Sequence, residues 1–520
     1  MNSATYSIAG GDYENGGAAS KRLKAILKKV GADPKAIRRA MVAAYEAEMN
    51  TVIHARGGRM RVAVDASQVD VVVEDEGPGI PHIGQAMVEG YSTAPPEARE
   101  LGFGAGMGLP NIQRNSDRFS LRSTPGQGTQ VHFTVYLTPQ TAAGAAVNSV
   151  AIAPDRCRQC LRCLAACPTG AIRVREGGPR ILEHLCIDCT SCTAACDAGA
   201  LGLGADAGRE RDAETVLVVP GAFLAQFGPG AGPEQVLAAC EELGFARVRV
   251  LDAWEAALQK AVWAYAQDES EVHPVLAPVC PAVLNLIRLR FPSLLGHVAP
   301  FLTPWEAARE ECEAARMTAV AACPAQRTVL STPGLLTRLD VVSPAALYNE
   351  LHARLGTDAA AVPPQAGRQA SACDALQVSG IRHVVKVLDE LEDGQMPDCA
   401  VLELFACDEG CFGSPAWTED AFVARHRHER SAVVPVDGAA GAVRRTRPLT
   451  PRGGLRLDVD MGRAIEKLAR IDALTRALPG RDCGACGAPT CAALAEDVVL
   501  GQTDVRACIH LEPGPLEIPV

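Results

Sequence analysis

The chain has 520 residues, 48% of them hydrophobic and 21% charged, and a formal net charge of −11 at pH 7. Its acidic balance argues against a nucleic-acid-binding protein, because such proteins usually show a basic footprint. Its apolar runs, such as 215–227, are shorter than the ~20 residues that cross a bilayer, and its first residues lack the order of a signal peptide. We therefore expect a cytoplasmic protein without membrane contact.

Changes in composition divide the chain into blocks. Stretches rich in Gly, Pro and Ala, which are typical of linkers, occur at 138–150, 356–370 and 437–454. We predict four domains, at residues 1–137, 151–203, 215–436 and 455–520. The third block alternates predicted strands with helices, which indicates α/β layers. Its predicted strands are 216–219, 248–251 and 400–405, and its predicted helices are 234–243 and 381–392.

The first block contains three segments whose residue types suit nucleotide binding. Glu46 and Asn50 lie four residues apart on a predicted helix, where a carboxylate and a carboxamide can hold Mg²⁺ and its water. Asp75 ends a predicted strand, where it can accept the exocyclic amine of adenine. The third segment, 102–109, has alternate glycines before a helix, and such glycines let backbone N–H groups approach phosphates.

The order and spacing of these segments, closed by Gly126-Gln127-Gly128-Thr129, closely resemble the GHKL ATPases. Within that family the resemblance is to anti-sigma-factor serine kinases and histidine-kinase ATP-binding domains. It implies an α/β sandwich with ATP and Mg²⁺ as ligands, in which Asn50 binds Mg²⁺, Asp75 holds adenine and Glu46 is the polarising base. The other residues that it implies at the nucleotide are Gly77, Gly79, Gly104, Gly106, Gly108 and Thr129.

The same resemblance implies a regulatory protein partner, and related domains often form homodimers. No phosphoacceptor histidine stands in the context of a kinase dimerisation helix. An ATP-dependent protein kinase and an ATP-gated fold that transfers no phosphate therefore both stay open.

Eight cysteines in the second block fall into two runs, each of the form C-x2-C-x2-C-x3-C. This is the spacing of bacterial two-cluster ferredoxins, in which the fourth cysteine of each run binds the other cluster. The first [4Fe–4S] cluster then takes Cys157, Cys160, Cys163 and Cys196. The second takes Cys186, Cys189, Cys192 and Cys167.

Four cysteines in the third block are far apart: Cys280, Cys323, Cys407 and Cys411. Their spacing alone fits either a metal site or buried thiols. Placed after a two-cluster ferredoxin, with Glu403-Leu404-Phe405-Ala406-Cys407-Asp408-Glu409-Gly410-Cys411, they resemble the catalytic domain of iron-only ([FeFe]) hydrogenases. The resemblance implies a cubane held by all four and a di-iron unit bridged through Cys411; a lone [4Fe–4S] centre is the alternative.

Several catalytic positions of that family are altered here. The proton-relay thiol is replaced by Val279, which cannot ionise, and the lysine by Gln326; Ala321 and Phe405 replace methionines. Losing an acid–base group typically costs about 10²–10⁴-fold in rate. The pattern is therefore closer to sensory hydrogenase-like proteins than to efficient hydrogenases.

After a predicted helix with apolar positions at Met461, Ile465, Leu468 and Leu474, the last block carries four more cysteines. They are Cys483, Cys486, Cys491 and Cys508, spaced C-x2-C-x4-C-x16-C. With their neighbouring glycines they resemble a small [4Fe–4S] module of electron-transfer complexes and corrinoid proteins; zinc is the alternative. Cys240, Cys312, Cys373 and Cys399 stand alone, and we expect them to be buried small hydrophobes.

Together the sequence predicts a multidomain α/β and α+β protein with three to four [4Fe–4S] clusters. The leading hypothesis is a redox or H2 sensor that acts through its ATP-binding domain. A ferredoxin-linked oxidoreductase and an electron-transfer scaffold are the alternatives. A redox protein such as ferredoxin is an expected partner.

Overall fold

A computed structural model of the chain describes residues 2–13, 15–65, 67–100, 103–137, 150–203, 214–228, 231–268, 272–312, 316–331, 339–355, 375–396, 399–431, 441–453, 457–458 and 460–511. The predicted linker 356–370, nearly all of 138–150, and Cys373 lie outside these ranges. The chain forms two compact units. The first consists of residues 1–142, 453–481 and 490–520, and the second of residues 143–452 and 482–489. The four-domain division remains a prediction.

The first unit contains a five-stranded antiparallel sheet with helices packed against it. Its elements up to residue 137 are β1 (Asn2–Ala9), α1 (Ala18–Lys29), α2 (Pro34–His54), β2 (Gly57–Val64), β3 (Gln68–Asp75), α3 (Ile83–Ala86), α4 (Pro96–Glu100), α5 (Gly108–Arg114), β4 (Arg118–Thr124) and β5 (Gly128–Tyr136). The strand order is β1-β2-β3-β5-β4. Alternate side chains of β3, Val69, Val71 and Val73, are buried, as expected where one face of a sheet carries the core.

The long helix α2 stabilises the start of α1. Residue Gly17, which precedes α1, has no side chain to cap the free N–H groups of the first turn. The buried carboxylate of Glu48 takes this role and accepts hydrogen bonds from the N–H groups of Ala19 and Ser20 at 3.0 and 2.9 Å. Glu48 is therefore committed to the fold, although it lies two residues from Glu46.

The second unit begins with the cysteine-rich segment, which is built from two similar halves. Its elements are β6 (Val150–Ile152), α6 (Arg162–Ala166), β7 (Ile172–Arg175), β8 (Gly178–Ile181), α7 (Ser191–Ala194) and β9 (Leu201–Leu203). Strand β6 pairs with β9 and β7 with β8. In each half the residues on both sides of the second cysteine of the run have positive φ: Gln159 and Leu161 in one, Asp188 and Thr190 in the other. This shared backbone turns both cysteine loops in the same way.

The rest of the second unit is an α/β core with two parallel sheets. Its elements are β10 (Thr215–Val219), α8 (Gly221–Leu224), α9 (Pro233–Glu241), β11 (Arg247–Val250), α10 (Asp252–Ala266), β12 (Val275–Ala277), α11 (Pro281–Arg290), α12 (Pro304–Glu311), β13 (Arg316–Val320), α13 (Pro324–Ser331), β14 (Leu339–Val342), α14 (Ala345–Leu355), β15 (Ala375–Ser379), α15 (Ile381–Glu392), β16 (Val401–Phe405) and α16 (Ala421–Glu429). The sheet orders are β11-β10-β13-β14 and β12-β16-β15.

The predicted strands and helices of this core are confirmed to within two residues, and α15 has the predicted bounds. Among the lone cysteines, Cys240 and Cys312 are buried in apolar clusters, which confirms that expectation for both. Cys399 is partly buried against another apolar cluster.

The first unit is completed by α17 (Met461–Ala477) and α18 (Cys491–Val499). The predicted apolar positions of α17 are all buried, which confirms its amphipathic pattern. Helix α18 is joined to α1 by an ion pair of 2.7 Å between Glu496 and Lys29. Within the described ranges, no helix has the length and apolar character to cross a membrane.

Candidate nucleotide site and metal centres

The helix α2 presents Glu46 and Asn50 to the start of α5. A Cβ added to Gly108, the first residue of α5, would lie 3.0 Å from Asn50 Oδ1 and 3.4 Å from Glu46 Oε2. Only a residue without a side chain lets α5 begin this close to both groups. Asn111, one turn into α5, donates a 2.7 Å hydrogen bond from Nδ2 to Glu46 Oε1. Asn111 is not among the residues predicted from the sequence; its place three residues after Gly108 was the available signal.

Asp75 lies at the end of β3 and is held by backbone donors. Its Oδ1 accepts from the N–H of Gly77 at 2.8 Å and from that of Thr129 at 3.2 Å. Burial raises the pKa of Asp75, against the opposing effect of these two hydrogen bonds and of His54. The carboxylate therefore has a fixed direction and one oxygen, Oδ2, that neither of these bonds uses.

The remaining predicted glycines form turns around this region. Gly79 has φ +72°, and a side chain there would overlap the carbonyl of Thr124. Gly104 and Gly106 have φ of +87° and +75°, and the carbonyl of Gly106 accepts from Gly90 at 3.1 Å. Gly102 lies outside the described residues. The structure thus brings Glu46, Asn50 and Gly108 together, and Asp75, Gly77 and Thr129 together.

The cysteines of the predicted first cluster are mutual neighbours. The pKa of Cys163 is raised to about 11, first by burial and then by the charges of Cys196, Cys160 and Cys157. The fourth cysteine of the other run therefore joins the first three, as the ferredoxin spacing implies. The N–H of Ala200 lies 3.3 Å from Cys196 Sγ and donates to it.

The cysteines of the predicted second cluster, Cys167, Cys186, Cys189 and Cys192, line one cavity. The pKa of Cys192 is raised to about 12, mainly by burial and then by the charges of Cys189 and Cys167. Free thiols at this depth are neutral at pH 7, so cluster binding must release protons. The donor set and the cavity fit a [4Fe–4S] cluster.

The four cysteines of the third block lie at the carboxyl ends of parallel strands, where α/β folds place their ligands. Cys280 follows β12, Cys323 follows β13, and Cys407 and Cys411 follow β16. They line one cavity. Cys280 and Cys323 each directly precede a helix, and the first N–H groups of α11 and α13 donate to their sulfurs. Such donors stabilise negative charge, so this cavity also fits an iron–sulfur cluster.

The two cavities have a common wall. Asp188 and Cys189 line both of them. Thr190 Oγ1 lies 3.8 Å from Cys407 Sγ, and Thr328 Oγ1 donates to Asp188 Oδ2 at 3.0 Å. Asp188 is only 3% exposed. Asp188 is not among the residues predicted from the sequence; its place between two predicted cluster ligands was the available signal.

The altered hydrogenase-like positions have new packing partners. Gln326 Nε2 lies 3.8 Å from Cys411 Sγ and donates to it, while its Oε1 accepts from the N–H of Ala322 at 2.8 Å. Val279 packs against an apolar cluster that includes Leu258 and Val262. Val279 is thus part of a hydrophobic contact.

The C-terminal cysteines lie on two kinds of structure. Cys483 and Cys486 belong to the loop 482–489 of the second unit; Cys491 is the first residue of α18, and Cys508 follows a one-turn 3₁₀ helix in the first unit. Their joint binding of a cluster stays a prediction. Among the described residues, no group of His, Cys, Asp and Glu has the arrangement of a single-ion site.

Three family profiles match the chain. The histidine kinase-like ATPase domain matches residues 11–135, the 4Fe-4S dicluster domain matches residues 149–197, and the family described as "Putative Fe-S cluster" matches residues 478–510. These matches confirm the ATPase, ferredoxin and C-terminal iron–sulfur parts of the predicted fusion. The protein is therefore a multi-cluster iron–sulfur protein with a kinase-like ATPase domain.

Two curated relatives match the N-terminal part. The serine/threonine-protein kinase RsbT of Bacillus subtilis (strain 168) is 32% identical over 110 residues, which is 20% of this chain and 77% of that kinase. An anti-sigma F factor of Pasteuria penetrans is 39% identical over 94 residues, which is 17% of this chain and 59% of that factor.

Solved [FeFe]-hydrogenase structures also align with the chain. A variant of the enzyme from Chlamydomonas reinhardtii has 13% sequence identity and a TM-score of 0.35, and the alignment covers 46% of this chain and 95% of that one.

Proposed function

The chain belongs, through residues 11–135, to the histidine kinase-like ATPase family, and from this premise we propose that it is a redox-responsive regulator. In this proposal its iron–sulfur centres set the activity of the ATPase domain toward a regulatory protein. That protein is either phosphorylated on serine or threonine, or held and released. The chemical precedents are the kinase and anti-sigma activities that the names of the relatives state.

The observation that carries the proposal is the surroundings of the hydrogenase-like cavity. Four cysteines that can hold a cubane line it, yet at the position where the resemblance implies a relay thiol the chain has Val279, which packs against an apolar cluster. Iron–sulfur clusters, when bound, supply one-electron redox chemistry. A centre that takes up electrons without the thiol at position 279 suits the reporting of redox state better than the turnover of H2.

The ATP side of the proposal assigns three roles to residues of the first unit. Asp75, with its direction set by Gly77 and Thr129, would accept the amine of adenine. Asn50 would bind Mg²⁺. Glu46, oriented by Asn111, would accept the proton of the attacking hydroxyl group or water.

The decisive experiment compares ATP affinity in the oxidised and the reduced protein. The full chain is purified without oxygen, its iron is counted, and ATP binding is measured by calorimetry before and after reduction with dithionite. We expect the two dissociation constants to differ by about fivefold or more, the usual lower range of coupling between sites. Binding free energies are reciprocal, so ATP should shift at least one cluster potential in turn.

Two variants control this experiment. Asp75→Asn should weaken ATP binding in both redox states, and Cys323→Ser should remove the core centre and the difference between the states. Equal affinities in a fully iron-loaded protein would refute redox control of the ATPase domain.

A second candidate function is a ferredoxin-linked oxidoreductase. Cys189 lines both cavities, and this favours the oxidoreductase function. Electrons could pass through this residue from the ferredoxin clusters to a substrate in the core. Steady turnover with a reduced dye as the electron donor would support this function. In that case Val279→Cys should raise the rate, since it restores an ionisable group.

A further inference from the structure

The loop 482–489, which carries Cys483 and Cys486, is seated on the ferredoxin segment of the same unit. The N–H of Val174 in β7 donates to the carbonyl of Gly487 at 2.9 Å. The guanidinium of Arg175 donates to the carbonyl of Cys486. The loop is therefore fixed to β7 through backbone atoms beside a predicted cluster ligand.

Two glycines of the loop make this approach close. A side chain at Gly487 would overlap the carbonyl of Val174, and Gly487 also has φ +78°. A Cβ at Gly484, between the two cysteines, would lie 3.3 Å from Cδ2 of Leu164. Leu164 is 4% exposed and directly follows Cys163, a predicted ligand of the first ferredoxin cluster.

We propose that the iron–sulfur centre of Cys483 and Cys486 exchanges electrons with the ferredoxin cluster of Cys163, through the contact of this loop with Leu164 and β7. The inference rests on the proposed function for the presence of both centres. It makes the C-terminal centre the end of an internal relay that continues through the second ferredoxin cluster and Cys189 to the core cavity.

The step transfers one electron and no proton. A reduced [4Fe–4S]¹⁺ centre returns to the 2+ state, and its neighbour passes from 2+ to 1+. An external one-electron reductant supplies the electron, and dithionite serves in the experiment. Arg175 acts in this relay as a positioning residue, because its guanidinium donates to the backbone carbonyl of Cys486.

The test is electron paramagnetic resonance on the full chain, loaded with iron and fully reduced. Two close paramagnetic clusters split or broaden each other's signals. The two reduced ferredoxin clusters already interact with each other, so we expect an additional interaction in the native protein, and we expect Cys483→Ser, which removes the C-terminal centre, to lose only that additional interaction.

The contact itself is tested by a matched glycine pair. Gly487→Ala introduces the overlap with Val174 and should abolish the interaction. Gly480→Ala has the same kind of backbone strain, with φ +64°, but a side chain there meets no atom within 4 Å, and the interaction should persist. An interaction that survives Gly487→Ala at full iron content would overturn the proposal.

If Gly487→Ala loses iron, a second pair of variants tests the same contact. Arg175→Met changes neither a cysteine nor a glycine and should weaken the interaction, whereas Arg180→Met, on the exposed side of the paired strand β8, should not. Equal spectra for these two variants would overturn the proposal, as would a native spectrum of fully reduced centres without interaction.

ATP affinity measured on the same samples separates this inference from the proposed function. Redox-dependent ATP binding without spin interaction would refute the relay alone. Spin interaction with redox-independent ATP binding would refute the regulatory function and leave the relay in place.

Discussion

Asn111 donates a 2.7 Å hydrogen bond to Glu46 Oε1, and this bond joins α5 to the face of α2 that also carries Asn50. A carboxylate used as a base must keep one orientation toward its proton donor. The bond gives Glu46 that orientation. Glu48, two residues later, instead accepts the hydrogen bonds that cap α1. Of the two acidic side chains, we therefore propose Glu46 as the base.

Replacing Glu46 by glutamine should therefore separate catalysis from binding. We expect Glu46→Gln to lower ATP hydrolysis or phosphoryl transfer by about 10²–10⁴-fold, the usual contribution of a general base. ATP affinity should change little, because the amide keeps the bond with Asn111. Single-turnover kinetics with radiolabelled ATP would measure both quantities.

Glu48→Gln is the matched control for this prediction. It should lower the thermal stability of the ATPase domain, by about 1 kcal/mol as for the loss of a helix cap, and leave the rate per folded molecule unchanged. If Glu48→Gln abolished turnover and Glu46→Gln did not, the assignment of the base would be wrong.

ATP binding should weaken in mildly acidic solution because of Asp75. Burial raises the pKa of Asp75 above that of an ordinary aspartate, so its carboxylate is protonated at a higher pH. A protonated carboxyl is a poorer acceptor for adenine, and affinity should fall as the pH drops through the raised pKa. The raised pKa also links folding to pH, because the folded state binds the proton of Asp75 more tightly than the unfolded state does. The resulting stabilisation is complete below the pKa of Asp75 in the unfolded chain. It is lost as the pH rises through the pKa of Asp75 in the folded protein.

Binding isotherms across a pH series would test this. Asp75→Asn should bind ATP about tenfold more weakly at neutral pH, as expected for loss of a charge-assisted hydrogen bond of about 1.5 kcal/mol. The ATP affinity of Asp75→Asn should also lack the fall at acidic pH that protonation of Asp75 causes in the native protein. A native profile identical in shape to that of Asp75→Asn would contradict the role of Asp75.

The two ferredoxin clusters should have different reduction potentials. Asp188 and Gln159 occupy equivalent positions with φ of +59° and +52°, but Asp188 is buried beside the second cluster whereas Gln159 is exposed beside the first. A buried carboxylate disfavours the extra electron. Asp188→Asn should raise one cluster potential by on the order of 60 mV, about tenfold in a one-electron equilibrium.

A redox titration followed by electron paramagnetic resonance would measure this shift. The control Gln159→Asn leaves the charge unchanged at the equivalent position, and both potentials should stay as in the native protein. Unchanged potentials in Asp188→Asn would show that solvent or the charge of Arg452, which acts on the same carboxylate, compensates for Asp188.

Iron content distinguishes cysteines that bind a cluster from cysteines that only pack in an apolar core. At four irons per cubane, four cubanes hold roughly 16 iron atoms and a di-iron unit brings the total to roughly 18. Cys323→Ser should remove about four, whereas Cys240→Ser, buried in an apolar cluster, should lose stability and keep its iron. Infrared bands of iron-bound CO and CN, appearing only after co-expression with hydrogenase maturation proteins, would demonstrate the di-iron unit.

What the sequence alone determined here is local. The two runs of cysteines predict their clusters because three thiols, with two residues between each and the next, can wrap one face of a cubane whatever surrounds them. Helix α15 has its predicted bounds because its apolar period is a property of the segment itself.

The relationships that carry function were decided by tertiary structure. Which of Glu46 and Glu48 is available depends on α1 and α5, which pack on different faces of α2. Cys189 joins two cavities because loops that are far apart in sequence meet there, and Gly487 contacts Val174 across more than 300 residues. Long-range contacts of this kind arise from the packing of whole elements, and residue spacing along one segment carries no information about them.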